Sequence, residues 1–297
     1  MRVVLPIAVT EDILISSTIS EPDTGEAVYI PGTYVTGIRR ILTSTHRVYE
    51  VTAIPSTTND PETGISATPP TWVDVGPTNK FAMFDNINST RSEETTTLVV
   101  EVKPGVVANS IAGFNISGVT NVNVTVTDPI DGEVYNTDVA IDNSQLSVFF
   151  DDDDIKSEFI LLDLPAYSNA TTKLTATGVN IKFGNFVIGN KTILGVAKID
   201  GALQLLDFGK KETDTFGNVV VKPGRTAKLV DFEVSVDFNN VSFVFDVLSS
   251  ITSIPSAWVA TDEVNDPTLV FGYYRDYQEN ISSATITKAT ITVEGLA

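Results

Sequence analysis

Two stretches of this 297-residue chain alternate apolar and polar side chains without a slip. Residues 121–128 read NVNVTVTD, with Val122, Val124 and Val126 on one side; residues 231–238 read DFEVSVDF, with Phe232, Val234, Val236 and Phe238 opposite Asp231, Glu233, Ser235 and Asp237. A period of two matches the pleat of a strand that has one face in a core and the other in water, and it is incompatible with an amphipathic helix. The surrounding sequence has the same character. Leu98, Val100 and Val102 alternate before a Lys103-Pro104-Gly105 turn, residues 159–162 (FILL) form a buried-strand run, and 174–181 and 183–188 read as two further strands. Val, Ile, Thr and Phe fill the strands while Asn, Asp and Gly fill the breaks, which is β and turn chemistry. Short strands separated by turns every ~8–12 residues between 77 and 195 predict a β-sandwich or jelly roll.

Beyond residue 195 the pattern changes. After the 231–238 strand, Asn239 or Asn240 is placed to cap a helix in which Val241, Val244 or Phe245, Leu248 and Ile251 recur at helical spacing, and Pro255 stops it. Residues 257–261, 269–274 and 284–293 return to strands. In the last, the apolar phase slips between Ala284 and Ile286 on one side and Ala289, Ile291 and Val293 on the other, which predicts a bulge near Thr287 and Lys288. At the other end Leu5, Ile7 and Val9 alternate, Ile13 and Ile15 continue after Glu11 and Asp12, and 21–25 (EPDTG) is a turn. This start is either an arm that docks elsewhere or the first strands of the next module. The expected fold is mainly β. A β-sandwich or jelly roll (77–195) is flanked by an N-terminal extended arm with a small β module (1–76) and a C-terminal α+β domain with one clear helix (196–297).

Composition excludes several functions. There is no cysteine, hence no disulfide, thiolate metal site or cysteine nucleophile, and His46 is the single histidine. A formal charge of −19 repels nucleic-acid backbones and anionic membranes. The N-terminal apolar run is interrupted by Pro6, Glu11 and Asp12, too short for a signal peptide or a membrane span, so the expectation is cytoplasmic synthesis without membrane insertion. No Gly-x-Ser-x-Gly elbow accompanies His46, and no glycine-rich phosphate loop opens a helix. A glycosidase needs only two carboxylates, but the conspicuous aromatic cluster, Tyr273, Tyr274 and Tyr277, sits at a strand end rather than a cleft. The acidic run 151–154 and the group Asp128, Asp131 and Glu133 offer hard oxygen atoms of the kind calcium takes. Adjacent side chains diverge, however, so both read as solvated turns. No catalytic residue, metal or cofactor is expected.

Residues 34–37 (YVTG), 47–51 (RVYEV), a Pro-, Gly- and Thr-rich loop over 55–70 and 72–76 (WVDVG) together resemble the small β modules of the chitin-binding type, found in chitinases and on many phage tail proteins. The chain departs from that pattern in having Val28-Tyr29-Ile30 before the turn and Ile38-Arg39-Arg40 after it. The resemblance implies a sugar platform, for which Tyr34, Tyr49 and Trp72 are the candidate glycan-binding rings, since a pyranose stacks on exposed π faces. The competing reading makes the same three rings the core of a module without disulfides. Residues 76–85 (GPTNKFAMFD), 98–114 and the NVNVTVTD strand, with 189–195 (GNKTILG), 207–208, 215–217 and the 294–297 end, resemble the galactose-binding-like jelly roll of phage tail structural proteins. What the two resemblances imply is a non-catalytic virion protein of a tail tip, hub or fibre adaptor. Its partners would be other tail or fibre proteins in an oligomeric assembly, and it would be assembled in the host cytoplasm. The alternative is a glycan-binding receptor-recognition module contacting the bacterial surface. A depolymerase, the third reading, lacks the repeat-built shaft such enzymes show.

Overall fold

The computed structural model describes residues 1–296 except 88, 142–156, 199–200, 214, 216, 218, 264–265 and 282–284. In chain order the strands are β1 (Arg2–Pro6), β2 (Leu14–Ser17), β3 (Tyr34–Val35), β4 (Arg39–Leu42), β5 (Arg47–Val51), β6 (Ser56–Thr57), β7 (Trp72–Pro77), β8 (Ser92–Glu94), β9 (Thr97–Val102), β10 (Ser110–Asp128) and β11 (Gly132–Ala140). They continue with β12 (Ser157–Leu161), β13 (Thr171–Ile193), β14 (Val196–Ala197), β15 (Ala202–Asp207), β16 (Lys210–Thr213), β17 (Val219–Lys222), β18 (Thr226–Asp237), β19 (Ser256–Val259), β20 (Val270–Asn280) and β21 (Ile286–Gly295). Among the described residues two α-helices, α1 (Pro61–Ile65) and α2 (Val241–Ser250), interrupt them. The fold is mostly β, built on large antiparallel sheets with one clear helix, as the alternating segments predict.

Among the described residues 14 strands join one sheet, and its spine is a pair of very long strands, β10 with 19 residues and β13 with 23. The runs 174–181 and 183–188, which read as two strands, are one strand with a corner in it. At that corner Asn115 and Asn180 take positive φ, Gly118 has φ +69°, and the β10–β13 register slips twice between Ser117 and Asn121. Backbones touch there: a Cβ on Gly178 would lie 1.9 Å from the Gly118 carbonyl oxygen. Such bulges let one strand cross from one layer to another. Ile111 and Ile116 from before the corner therefore share a core with Val122, Val124 and Val126 from after it, together with Leu98, Val100, Phe159, Leu174 and Phe183. This is the sandwich: a sheet folded over its own long strands.

β1 lies inside the sheet, paired antiparallel with β13 on one side and β19 on the other. Val3 faces the C-terminal core with Met1, and Val4 faces a second cluster with Phe114, Ile160 and Phe271. A strand buried on both faces carries a continuous apolar run rather than an alternation; of the alternating residues Leu5 lies in β1, while Ile7 and Val9 follow its end, half-buried.

In the C-terminal part Val230, Phe232, Val234 and Val236 of β18 and Ala289, Ile291 and Val293 of β21 pack with Val244, Leu248 and Ile251 of the α2 region and with Trp258. Three details differ from expectation. The helical run opens with a 3-10 turn at Phe238–Asn240, and the cap is Asp237, whose carboxylate accepts the Asn239 N–H at 2.9 Å, while Asn240 makes no side-chain cap bond. Phe238 therefore leaves the strand face and is 42% exposed. β21 runs without a slip against β18; the irregularity is on β20, between Tyr274 and Asp276. The apparent phase slip arises because Ile286 points outward while Thr287 occupies the buried position and donates to the Val236 carbonyl.

Candidate functional site

The small module is a three-stranded sheet, β4-β5-β7, with the β3–β6 pair and α1 set beside it. Tyr34, Tyr49 and Trp72 are brought into one cluster, and its middle is buried: Trp72 is 1% exposed, Tyr49 4% and Tyr34 8%. Tyr34 and Tyr29 meet the indole edge-on, with centroids 5.6 and 6.0 Å away, and Tyr29 tilts against Tyr34 at 5.6 Å. Trp72 Nε1 donates to the Asn59 carbonyl at 2.9 Å. Tyr34 Oη donates to the Ile30 carbonyl at 2.6 Å. A sugar platform needs exposed, coplanar ring faces; these rings are buried and Tyr34 crosses the indole at 66°, so in this conformation they act as the module's core. α1 closes over the indole. Asp60 caps it by accepting the Thr63 N–H at 2.9 Å, and that bond, with a second from the Thr63 hydroxyl, holds the Asp60 carboxyl below the usual range.

The motif GPTN at 76–79 turns out to be a joint. Thr78 Oγ1 donates to Glu21 at 2.6 Å, and the same carboxylate receives His46 Nδ1 at 2.8 Å. His46, at positive φ between β4 and β5, stacks on Phe81 with centroids 3.8 Å apart. The lone histidine thus pins the module to the sandwich through a carboxylate and a phenyl ring. Asn79 donates its backbone N–H to Glu26 and its side-chain amide to Asp23 and to the Glu93 carbonyl, while its Oδ1 accepts the Glu93 N–H. Beside this joint opens a cleft of about 780 Å³ lined by Asp23, Glu26, Arg91, Glu93, Glu94 and Lys182 among others. Its walls are polar and carry both charges.

A smaller cavity of about 270 Å³ lies where β12, β18 and β20 meet. Glu158 borders it, paired with Lys228, which also donates to the Leu269 carbonyl at 2.7 Å. Burial pushes the Glu158 carboxyl up, and Lys228 draws it part of the way back. This is a cross-link between strands. The acidic run 151–154 lies outside the described residues. Asp128 of the second acidic group spends its Oδ1 on the N–H groups of Ile130 and Asp131, at 2.8 and 3.1 Å, which makes it a turn residue. Tyr274 and Tyr277 pack against the C-terminal core, with the Tyr277 hydroxyl bonded to Glu279.

The surface that stands apart chemically is one the residue patterns had not singled out. β15 pairs with the Thr226–Asp231 half of β18 as an edge strand, and the chain then runs into a ladder, β16 with β17, that forms a separate two-stranded sheet. The ribbon is pinched at Gly209 and Gly224, whose backbones touch. Leu203, Leu205, Phe208, Val219 and Val221 are all between 51% and 72% exposed along it. The available signal was apolar runs, ALQLL and VVV, cut by Gly209 and by Pro223-Gly224 and salted with lysines.

No protein-family model matches the chain, and no curated protein matches it. Among solved structures the chain is similar to chitosan-binding module 1 of a chitosanase/glucanase from Paenibacillus sp. IK-5. The match covers 37% of this chain and 83% of that one, with 12% identity and a TM-score of 0.25. That neighbour binds chitosan; so loose a superposition transfers no ligand to this chain.

Proposed function

We propose that this chain is a structural protein of a bacteriophage tail, a tip, hub or fibre-adaptor component that docks other tail subunits and performs no catalysis. It would be made in the host cytoplasm and reside in the virion. The observation that carries the docking role is the set of exposed apolar side chains Leu203 and Leu205 on the edge strand β15, Phe208 after it, and Val219 and Val221 on the β16–β17 ladder. The two-stranded β16–β17 ladder has no second layer to bury its valines, and an exposed apolar edge such as β15 is a template for another chain. The tail assignment rests on the motif resemblances over residues 31–76 and over most of residues 72–297. Mass spectrometry of purified virions from a phage encoding the chain tests it: the chain is expected among tail proteins, and its absence overturns the assignment.

A second reading is favoured by the polar cleft beside Asn79. Its carboxylates, amides and Lys182 are the groups that hydrogen-bond sugar hydroxyls, so a surface glycan would be held there rather than on the buried rings. A glycan array of the wild type against Lys182→Ala separates the readings. Specific binding that the substitution weakens without lowering thermal stability supports the glycan role; no binding by the wild type removes it.

A further inference from the structure

The chain enters and leaves the small module at one place. We propose that the module is a hinged body on the sandwich, that it turns about the paired crossings at Glu26–Ala27 and Thr78, and that His46 is the latch holding it closed. This device is independent of the docking and glycan readings above.

The two bodies have separate cores. Tyr34, Tyr49, Val51 and Trp72 make up the buried cluster of the module, and none of them belongs to the sandwich cluster around Leu98, Val122 and Phe183. Bodies that share no apolar cluster are held by their contact alone, and a small polar contact leaves them free to move against each other.

The crossings define the axis. Ala27 belongs to the module, since its carbonyl accepts the Ile41 N–H at 2.8 Å and Val28 bridges Ile41. Pro77 belongs to it as well, paired with Arg47 across β5 and β7. The residues just outside are fixed to the sandwich. Asn79 bonds to Glu93 of β8 through both ends of its amide, and its N–H goes to Glu26 at 2.9 Å. Glu26 and Asn79 therefore lie side by side, and two adjacent single-chain crossings resist sliding but not rotation. Gly76 stands next to one of them in open space, where a Cβ would meet only Thr90 Cγ2 at 3.9 Å.

What opposes rotation is His46, on the turn between β4 and β5. Its ring stacks on Phe81 of the sandwich core with centroids 3.8 Å apart, Nδ1 meets the Glu21 carboxylate at 2.8 Å, and the Glu11 carboxylate lies 3.8 Å from Nε2. All three groups are beyond the hinge. Its backbone is strained for a histidine: φ is +55°, a conformation that glycine adopts freely. Local folding of the turn favours glycine or asparagine there, yet the position holds a ring whose contacts lie on the other body. Arg47, the next residue, adds its charge, which acts on Asp85 across the joint, and is itself tied to Asp74 within the module at 2.5 Å. Opening the latch also reshapes the polar cleft, because Glu26, Pro77 and Asn79 at the crossings form part of its wall.

The chain has no cysteine, so two engineered cysteines can be labelled uniquely. Ile54→Cys on the module and Ile130→Cys on the β10–β11 turn replace exposed side chains, and Asp128 fixes the second site by accepting the Ile130 N–H. Nitroxide distances between them, read by double electron–electron resonance, are expected to form one narrow distribution with His46 in place. His46→Gly relieves the turn and removes the latch. The distribution should then broaden, with the open population raised at least about tenfold. His46→Asn, which also tolerates positive φ, should act in the same direction. Tryptophan emission and thermal melts check that both bodies stay folded, since Trp72 reports on the module and Trp258 on the C-terminal core. A narrow distribution that neither substitution changes shows a rigid joint and overturns the proposal. A broad distribution with His46 intact does the same, because the module is then unlatched. If both substitutions unfold the module, the histidine belongs to the module's own fold and the latch is refuted.

Discussion

The small module and the ribbon are both too slight to build an ordinary core, and they spend their large apolar side chains in opposite ways. The module turns Tyr34, Tyr49, Val51 and Trp72 inward and covers the indole with α1, so its few rings supply nearly all of its packing. The ribbon leaves Leu203 and Leu205 exposed on the edge strand β15, and Val219 and Val221 exposed on the separate β16–β17 ladder. The difference teaches what exposure means in each place. Where a third element closes over the rings, aromatics hold the fold. At a sheet edge or on a two-stranded ladder, apolar residues stay exposed in the single chain. The family-like motif at Trp72 thus marks packing, and the unadvertised segment near Leu205 is the one the proposed docking role would use.

The sharpest way to break this contrast is Trp72→Ala. Removing a side chain that is 1% exposed, together with its bond to Asn59, should cost about 3–5 kcal/mol. Urea melts followed by tryptophan fluorescence from Trp258 and by far-ultraviolet circular dichroism would read it. A variant as stable as wild type would return Trp72 to the surface and revive the sugar platform. Gly64→Ala probes the lid of the same cluster. Its Cβ would lie 2.2 Å from Trp72 Cδ1 and 2.7 Å from Thr71 Oγ1, so the helix or the indole must shift. The expected loss is about 1–3 kcal/mol, and a neutral result would mean that α1 floats free of the ring.

Asp60 sharpens the comparison through pH. Asp60→Ala removes the α1 cap and should cost about 1 kcal/mol at neutral pH. The Thr63 bonds depress the folded-state pKa of this carboxyl below its ordinary 3.8. Its contribution is therefore fully present above pH 3.8 and is lost as pH falls through the lower folded value. Asp60→Asn keeps a cap acceptor without a titrating group, so the stability difference from wild type should shrink as the pH is lowered from 5 to 2. A difference constant over that range would show that the cap contributes nothing through its charge.

Much of the fold was legible because burial leaves a period. The 121–128 and 231–238 strands are half-buried, and the alternation of Val122 with Asn123, or Val234 with Ser235, records it directly. The helix was legible in Val244, Leu248 and Ile251 for the same reason. What the residues could not disclose was decided by distant neighbours. β1 is sandwiched between β13 and β19, so Val3 and Val4 carry no alternation to read. The corner in β13 depends on Gly178 meeting Gly118 across the sheet, a contact between residues 60 apart in sequence. Asp237 rather than Asn240 caps the helical run because a 3-10 turn precedes it. Tyr34, Tyr49 and Trp72 do come together in one buried cluster; whether they face in or out depends on α1, which five residues of PETGI scarcely advertise. The ribbon escaped notice because strands with lysines and valines look alike whether or not a second layer covers them.

The smallest expected effect bears most on the ribbon. Leu205→Ser and Val221→Ser, measured at protein concentrations low enough for the chain to be monomeric, should change unfolding free energy by less than about 0.5 kcal/mol each. The side chains are 72% and 57% exposed, so the folded monomer gains little from them. Ordinary accounting would call two such residues wasted, because an apolar group left in water earns no burial. Their near-neutrality in the monomer is what the contrast with Trp72 requires: one region is costly to the fold when altered, the other is not. A loss on the scale of the Trp72 substitution would mean that the ribbon folds back onto its own sheet and buries these side chains within the chain. The opposition between inward rings and outward valines would then disappear.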